Sequence, residues 1–311
     1  MRNVTADGFY NLLDRYQRLA EEGKLPEALS AAQRLWDAFP ERHDYTWMCL
    51  TATHAAMGNL HLSALALRAA FDDNSLWRLS LLDAPEMQLV RRDPECQAVI
   101  DQARRRVEAK HYRPLVNVER PPSEGVAPLL LHLHGANSSA ARESSRWRDA
   151  TKLGWIVAAG QSSQPSAEDR FCWDAPAERR WQDLGEIAGM LPRHGRMVMA
   201  GFSQGAWVAL QTALRSDIFQ PAGVIMVAPF LPGPERLEAS GRRLRIAIIL
   251  GENDPIIQRP EEMIDALEAR GHHLEVERIA GLGHSYPNDF AERLPHLLES
   301  VSRHKAVKGI A

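Results

Sequence analysis

The sequence predicts an α/β protein with a doubly wound, mostly parallel sheet, preceded by an all-α domain of helical-repeat type. From Phe9 to about Lys110, apolar residues recur three and four positions apart, which is typical of amphipathic helices. After Lys110, short apolar stretches alternate with amphipathic ones, and this order indicates parallel strands whose connecting helices cover both faces. Since the period changes near residue 111, we expect a helical domain at 1–111 and an α/β domain at 112–311.

Composition and charge exclude several classes of protein. The formal net charge of -3 offers no basic surface suited to nucleic acid. The 3 cysteines lack the spacing of a metal site or a disulfide framework and favour a reducing compartment. The first residues lack the pattern of a signal peptide, and no apolar run of about 18 residues exists. We therefore expect a cytoplasmic protein with neither a membrane span nor a cofactor.

Two segments of the helical domain resemble each other at the shift that separates Gly23 from Gly58. At the same shift, small or apolar residues pair as Leu25/Leu60, Ala28/Ser63, Ala32/Leu67 and Leu35/Ala70. The spacing resembles that of the tetratricopeptide repeat, a helix–turn–helix unit of about 34 residues. Two repeats are fewer than an independent stack needs, so we expect this extension to dock against the larger domain.

The α/β domain divides into strands and helices by its pattern of apolar residues. We expect strands at 115–118, 129–133, 155–159, 197–200, 222–228, 244–250 and 273–279, and helices at 141–152, 177–190, 261–270 and 289–303. In such a sheet, active groups gather at the carboxyl ends of the strands.

One motif in this domain, Gly201-Phe-Ser-Gln-Gly205, lies between an apolar strand and an apolar helix start. In that context the pattern G-x-S-x-G predicts a nucleophile elbow, a turn so tight that glycine is needed on either side of the serine. The turn raises the Ser203 hydroxyl above the sheet, and the N-terminus of the next helix favours negative charge there. Ser203 is therefore the candidate nucleophile, and the alternative is a Ser/Gly turn without chemistry.

A serine nucleophile needs a base and an acid that orients the base. Asp254 follows the apolar strand 244–250, and His284 lies in the glycine-containing loop before the last helix. The chain order Ser, Asp, His suits this kind of sheet. Glu252 is a less favourable acid in the same loop as Asp254. The histidines at helix or strand ends are expected on the surface and are weaker candidates for the base.

The oxyanion needs two backbone N–H donors, of which one belongs to the residue after the nucleophile, Gln204. The second should come from the turn His134-Gly-Ala-Asn137, and we assign it to Ala136, with Gly135 as the alternative. His132 and His134 could share a face and bind a metal, but no nearby carboxylate or cysteine completes a ligand set. We expect His134 to brace the oxyanion turn instead.

Together these four motifs resemble those of the α/β-hydrolase superfamily. The motifs are Gly-Phe-Ser-Gln-Gly at 201–205, Leu-His-Gly at 133–135, Gly-Glu-Asn-Asp at 251–254 and Gly-Leu-Gly-His at 281–284. Within the superfamily they are similar to the branch of phospholipases/carboxylesterases, acyl-thioesterases and dienelactone-hydrolase-like enzymes. The resemblance implies a triad of Ser203, Asp254 and His284, with Gln204 and Ala136 donating to the oxyanion. Two departures are Ala206, where a further glycine is common, and the turn at 136–138, which is less glycine-rich than in thioesterases.

The resulting hypothesis is a serine esterase that cleaves short- to medium-chain acyl esters through an acyl-enzyme. No long lid interrupts 228–244, and the aromatics Trp173, Trp207, Phe230 and Tyr286 either line the acyl pocket or belong to the core. The same scaffold would also suit a peptidase, an amidase or a thioesterase. A further alternative is a non-catalytic adaptor that binds proteins through the helical repeats. In the enzyme hypotheses, those helices remain candidates for contact with a protein partner or a second copy of the chain.

Overall fold

The computed structural model describes residues 6–302, apart from 124, 175, 216, 258 and 259. The chain divides into two compact units. The helical unit consists of Met1–Arg113 together with Ser163–Ala175, and the sheet unit consists of Pro114–Ser162 together with Pro176–Ala311. The segment 163–175 lies beyond the boundary that the sequence analysis expected near residue 111, yet it packs with the helices.

In the sheet unit, the helices and strands follow one another in the order that the residue pattern predicts. The helices are α1 (Ala6–Glu21), α2 (Leu25–Ala38), α3 (His43–Ala56), α4 (Leu60–Asp72), α5 (Pro94–Ala109), α6 (Ala140–Trp147), α7 (Ala177–Met190), α8 (Gln204–Arg215), α9 (Pro260–Ala269) and α10 (Phe290–Ser302). The strands are β1 (Leu115–Glu119), β2 (Leu129–Leu133), β3 (Ile156–Gln161), β4 (Gln164–Ala167), β5 (Arg170–Cys172), β6 (Met197–Phe202), β7 (Gly223–Val227), β8 (Arg245–Gly251) and β9 (His273–Ile279).

In the helical unit, each of the helices α1 to α4 packs against the next one along the chain. The turns before α2 and α4 contain Gly23 and Gly58, with φ of 71° and 79°. A left-handed backbone of this kind favours glycine because it has no Cβ. The two turns therefore share a left-handed glycine, at the two positions that the sequence shift pairs.

The short antiparallel hairpin of β4 and β5 also belongs to the helical unit. Arg78 and Ser80 bind the carboxylate of Asp174, which follows β5. The Tyr112 ring packs edge-on against Phe171, at 5.4 Å between ring centroids. This hairpin was not predicted, because its strands are short and rich in polar residues and no alternating apolar pattern marks them.

Within the described residues, the main sheet has seven strands in the order β1-β3-β2-β6-β7-β8-β9. The edge strand β1 is antiparallel to β3, whereas every other pairing is parallel. Strands β2, β6 and β7 are apolar over nearly their full length because helices cover both faces of the sheet. The predicted fold class, an α/β sheet that follows an all-α region, is confirmed.

Two predicted helices differ in detail from the structure. The helix expected at 141–152 is an α-helix only over Ala140–Trp147, and it continues as a 3₁₀-helix over Arg148–Leu153. The last helix begins at Phe290, and its predicted end, Arg303, lies outside the described residues. Among the described helices, none combines the length and the apolar character needed to cross a membrane.

Candidate active site

The turn between β6 and α8 has the geometry of a nucleophile elbow. Ser203 has a φ of 52°, a left-handed conformation that is costly for a residue with a side chain. Its N–H donates to Val227 O at 3.0 Å, and its own carbonyl accepts from the Phe230 N–H at 3.1 Å. These hydrogen bonds to the segment after β7 hold the strained serine in place.

The glycines on either side of Ser203 are required by close backbone contacts. A Cβ at Gly201 would collide with the backbone of Gly205, and a Cβ at Gly205 would collide with the carbonyl oxygens of Leu133 and His134. The elbow therefore lies directly against the end of β2. This contact brings the serine next to the loop of residues 134–138, which we call the oxyanion loop.

Three sequence-predicted site residues come together above the carboxyl ends of β6 and β8. His284 Nε2 lies 2.9 Å from Ser203 Oγ, and His284 Nδ1 lies 2.7 Å from Asp254 Oδ2. The Asp254 side chain is fully buried, and its other oxygen accepts from the Ile256 N–H at 2.9 Å. These contacts keep the carboxylate aimed at the imidazole. The alternative acid, Glu252, is exposed, whereas Asp254 is the carboxylate that meets His284.

Backbone contacts hold the loop of residues 280–287, which we call the histidine loop, against the end of β8. Asn253 N–H donates to Leu282 O at 3.0 Å. A Cβ at Gly251 would collide with the same carbonyl, so glycine is needed there for the close approach. As a result, Asp254 and His284 are held together by backbone contacts as well as by their side chains.

In the oxyanion loop, His134 is buried and makes local hydrogen bonds. Its Nε2 accepts from the Ser162 N–H at 3.3 Å, which leaves Nδ1 to donate to Gly135 O at 2.8 Å. Burial lowers the pKa of His134 to about 4, so the ring is neutral near pH 7. The neutral ring therefore braces the loop.

His132 is buried two residues earlier on β2, and it faces the core. Its ring stacks on Trp147, with 5.6 Å between ring centroids, and neither ring nitrogen has a hydrogen-bond partner. Burial, with a smaller contribution from His134, lowers the pKa of His132 to about 3. Among the described residues, no group of three or more His, Cys, Asp or Glu side chains could hold a metal ion.

A residue that the sequence analysis did not single out, Glu143, lies in the centre of this region. Its Oε1 accepts from the Gly135 N–H at 2.8 Å, and its Oε2 accepts from the Tyr286 hydroxyl at 3.1 Å. Burial raises the pKa of Glu143 to about 7, although the Gly135 N–H and the side chains of Ser138, Tyr286 and Arg146 oppose the shift. One signal for it existed in the sequence: Glu143 lies on the same face of α6 as the buried Ala140 and Trp147.

The four aromatic residues considered for the acyl pocket have different surroundings. Trp207 is buried, and Trp173 is buried within the helical unit. Tyr286 stacks on Phe202, with 4.7 Å between ring centroids, and packs against the core of the sheet unit. Phe230 is 42% exposed and follows the strand next to the elbow. Of the four, Phe230 is the side chain that solvent reaches most easily.

Comparison with known proteins gives matches to both the sequence and the fold. Residues 180–302 match the model of the family described as Phospholipase/Carboxylesterase. The structure is similar to an uncharacterized protein from Bacillus cereus ATCC 10987, with a TM-score of 0.53 and 20% identity, covering 94% of this chain and 99% of that one. No curated protein sequence matches the chain.

Two further solved structures are similar to about three-fifths of the chain. One is an S-formylglutathione hydrolase from Agrobacterium tumefaciens, with a TM-score of 0.49 and 18% identity, covering 60% of this chain and 89% of that one. The other is a phospholipase/carboxylesterase from Dyadobacter fermentans DSM 18053, with a TM-score of 0.45 and 18% identity, covering 60% of this chain and 97% of that one.

The parallel sheet and the elbow between β6 and α8 give the sheet unit an α/β-hydrolase fold. Within that fold, residues 180–302 match the phospholipase/carboxylesterase family, which the motifs also resemble. The family indicates hydrolase activity of the carboxylesterase or phospholipase type.

Proposed function

We propose that the protein is a serine esterase that cleaves carboxylic esters through an acyl-enzyme intermediate. The observation that carries the proposal is the continuous chain of hydrogen bonds from Asp254 through His284 to Ser203, at 2.7 Å and 2.9 Å. A serine hydroxyl becomes a useful nucleophile at neutral pH when an oriented imidazole can take its proton. In this site the imidazole is oriented by a buried carboxylate on its far side.

In the proposed reaction, Ser203 Oγ attacks the ester carbonyl carbon while His284 Nε2 takes the hydroxyl proton. The carbonyl oxygen becomes an oxyanion, and collapse of the tetrahedral intermediate breaks the bond to the alcohol, which leaves with the proton from His284. Water then attacks the acyl-enzyme and gives its proton to His284. The second collapse releases the carboxylic acid and returns the proton to Ser203. The Asp254 carboxylate stabilises the imidazolium in both halves.

We assign the oxyanion donors to the backbone N–H groups of Gln204 and Ala136. Gln204 is the first residue of α8, where backbone N–H groups point out of the helix end and favour negative charge. The alternative second donor, Gly135, already donates its N–H to Glu143. This contact favours the next residue along the loop, Ala136, for the oxyanion.

The proposed substrates are esters with short to medium acyl chains. The segment between β7 and β8 contains a single short 3₁₀-turn, Pro234–Arg236, among its described residues and carries no long helical lid. Thioesters and amides would react by the same steps, so the preference among them depends on the pocket. A series of acyl esters, thioesters and amides with matched acyl chains measures that preference directly.

The test of the chemistry is Ser203→Ala, with Ser144→Ala as the matched control. Ser144 lies in the same unit on α6, and its hydroxyl donates to Ala140 O within that helix. We expect Ser203→Ala to lower kcat for a short acyl ester by about 10⁴-fold or more, because the nucleophile is lost. It should also abolish covalent labelling by a fluorophosphonate, whereas Ser144→Ala should retain both. Unchanged turnover in folded Ser203→Ala would contradict the proposal.

We also propose that the helical unit is a tetratricopeptide-like pair that contacts another protein chain in the cytoplasm. Support comes from α2 and α4, which begin at Leu25 and Leu60, the same shift that relates Gly23 to Gly58. Leu62 and Leu65 on α4 are exposed apolar side chains. Light scattering of the full chain and of Leu62→Glu/Leu65→Glu tests for self-association. A wild-type chain that stays monomeric and captures no other protein would contradict the proposed contact.

A further inference from the structure

We infer that Glu143 is a positioning residue that joins the oxyanion loop to the histidine loop across Ser203. The inference rests on the proposed function, because it assigns a role to Glu143 in the geometry of that reaction. Glu143 itself touches neither Ser203 nor His284 in the hydrogen bonds described above. It acts through the backbone of Gly135 on one side and through the Tyr286 side chain on the other.

The carboxylate of Glu143 makes hydrogen bonds to both loops, and the Ser138 side chain of the oxyanion loop also binds it. On one side, Oε1 accepts from the N–H of Gly135, the residue immediately before the proposed oxyanion donor Ala136. On the other side, Oε2 accepts from the hydroxyl of Tyr286, two residues after His284. A single buried side chain therefore spans the two loops that supply an oxyanion donor and the general base.

Tyr286 is itself fixed by three aromatic neighbours, Trp147, Phe202 and Phe290. Its hydroxyl accepts from Trp147 Nε1 at 3.1 Å, and its ring stacks on Phe202, the residue before the nucleophile. Phe202 in turn lies 5.0 Å from the His284 ring, measured between ring centroids. A shift of Tyr286 would therefore be transmitted both to the elbow and to the base. Through this packing, the hydrogen bond from Tyr286 to Glu143 affects the positions of Ser203 and His284.

The position requires an acceptor at both oxygens, which an amide does not provide. Gly135 and Tyr286 both donate to Glu143, and the Tyr286 oxygen already accepts from Trp147. In Glu143→Gln, one acceptor becomes an NH₂ donor that faces either the Gly135 N–H or the Tyr286 hydroxyl. The shape of the side chain is kept while one of the two links between the loops is broken.

The ionisation of Glu143 also connects its role to pH. Burial raises its pKa to about 7, so the carboxylate gains a proton at a pH where esterases are assayed. The charged or titratable groups around it are Arg146 on α6 and Tyr286 in the histidine loop. Protonation replaces one acceptor by a donor, as the amide does. The acid limb of kcat/KM should therefore include the protonation of Glu143.

The experiment compares Glu143→Gln with a matched buried-polar control, Gln211→Leu. Gln211 lies on α8 in the same unit, and its amide binds the backbone of Arg236 and Glu238. We expect Glu143→Gln to lower kcat and the rate of fluorophosphonate labelling by about 10- to 100-fold, with KM within about twofold, because loosened loops misplace the reacting groups. Its acid limb should be one proton less steep than that of the wild type, because Glu143 no longer titrates. Gln211→Leu should lower the melting temperature while keeping kcat.

A second variant, Tyr286→Phe, covers the case in which Glu143→Gln does not fold. It removes the same link from the other loop and keeps the ring, so we expect a loss in kcat of about 3- to 10-fold at unchanged KM. Folded variants that label and turn over at the wild-type rate would overturn the inference about Glu143 alone. A wild-type chain that never labels at Ser203 would instead overturn the proposed function, so the two failures are distinguishable.

Discussion

Acidification should destabilise the fold through His132, and replacing this residue by leucine should remove that contribution. His132 is fully buried against Trp147, and its ring nitrogens have no hydrogen-bond partners. Its folded-state pKa is about 3, below the unfolded value of 6.5, because burial penalises the charged form. Below pH 6.5, His132 therefore binds a proton in the unfolded chain but stays neutral in the folded chain until about pH 3. The stability contributed by neutral His132 is fully present above the unfolded pKa and is lost as the pH falls toward the folded pKa.

The size of the effect follows from the distance between these pKa values. One pKa unit corresponds to about 1.4 kcal/mol, so acidification from about pH 8 to about pH 5 should cost about 2 kcal/mol through His132. His134, whose pKa is about 4 for the same reason, should contribute about as much again. The His132→Leu variant should therefore lose about 2 kcal/mol less than the wild type over that range. At about pH 8 it should be at least as stable, because no unpartnered polar group remains buried.

The assay is urea unfolding followed by tryptophan fluorescence at both pH values, for the wild type, His132→Leu and His273→Leu. His273 lies exposed on β9, so its replacement is the control for the loss of a histidine as such. The quantity compared is the change in the free energy of unfolding between the two pH values. If His132→Leu and the wild type lose the same amount on acidification, the reasoning about His132 is refuted.

Further predictions concern the elbow and the acid of the triad. Gly205→Ala places a Cβ against the Leu133 and His134 carbonyls and should lower the free energy of unfolding by about 3 kcal/mol. Gly185→Ala, on α7, meets open space and should raise it by about 0.5–1 kcal/mol. Urea unfolding measures both changes. Asp254→Asn should lower kcat by about 10³- to 10⁴-fold at nearly unchanged KM because the imidazole loses its orienting carboxylate, and steady-state ester hydrolysis checks it. Glu252→Gln, the exposed neighbour, should keep wild-type kcat; a large loss there would reverse the two assignments.

The sequence indicated the sheet and the elbow because both depend on local patterns. Runs such as Leu129–Leu133 are apolar over their whole length, and a buried parallel strand requires this. The glycines of the elbow are needed for backbone contacts within the motif and with the end of β2. The order of the motifs then led to Asp254 and His284; in the structure His284 contacts Ser203, and Asp254 contacts His284. Their catalytic roles remain a prediction that the variants above test.

Other features could not be read from local patterns. The hairpin of β4 and β5 forms through contacts with residues far away in the chain, such as Arg78 with Asp174. Glu143 was missed because a glutamate in an amphipathic helix ordinarily faces solvent, and its partners Gly135 and Tyr286 become neighbours only in the folded chain. Both depend on long-range contacts that no period in the sequence encodes.

The absence of a side chain at Gly205 has a consequence for engineering. The backbone of the elbow lies directly against the backbone at the end of β2. The distance between them therefore does not depend on any side chain that a library of pocket variants would change. Phe230, which lies beyond the elbow and is 42% exposed, can therefore be randomised to change the accepted acyl group while Ser203 keeps its place. Gly201, Gly205 and Gly251 are the positions to leave fixed in such a library.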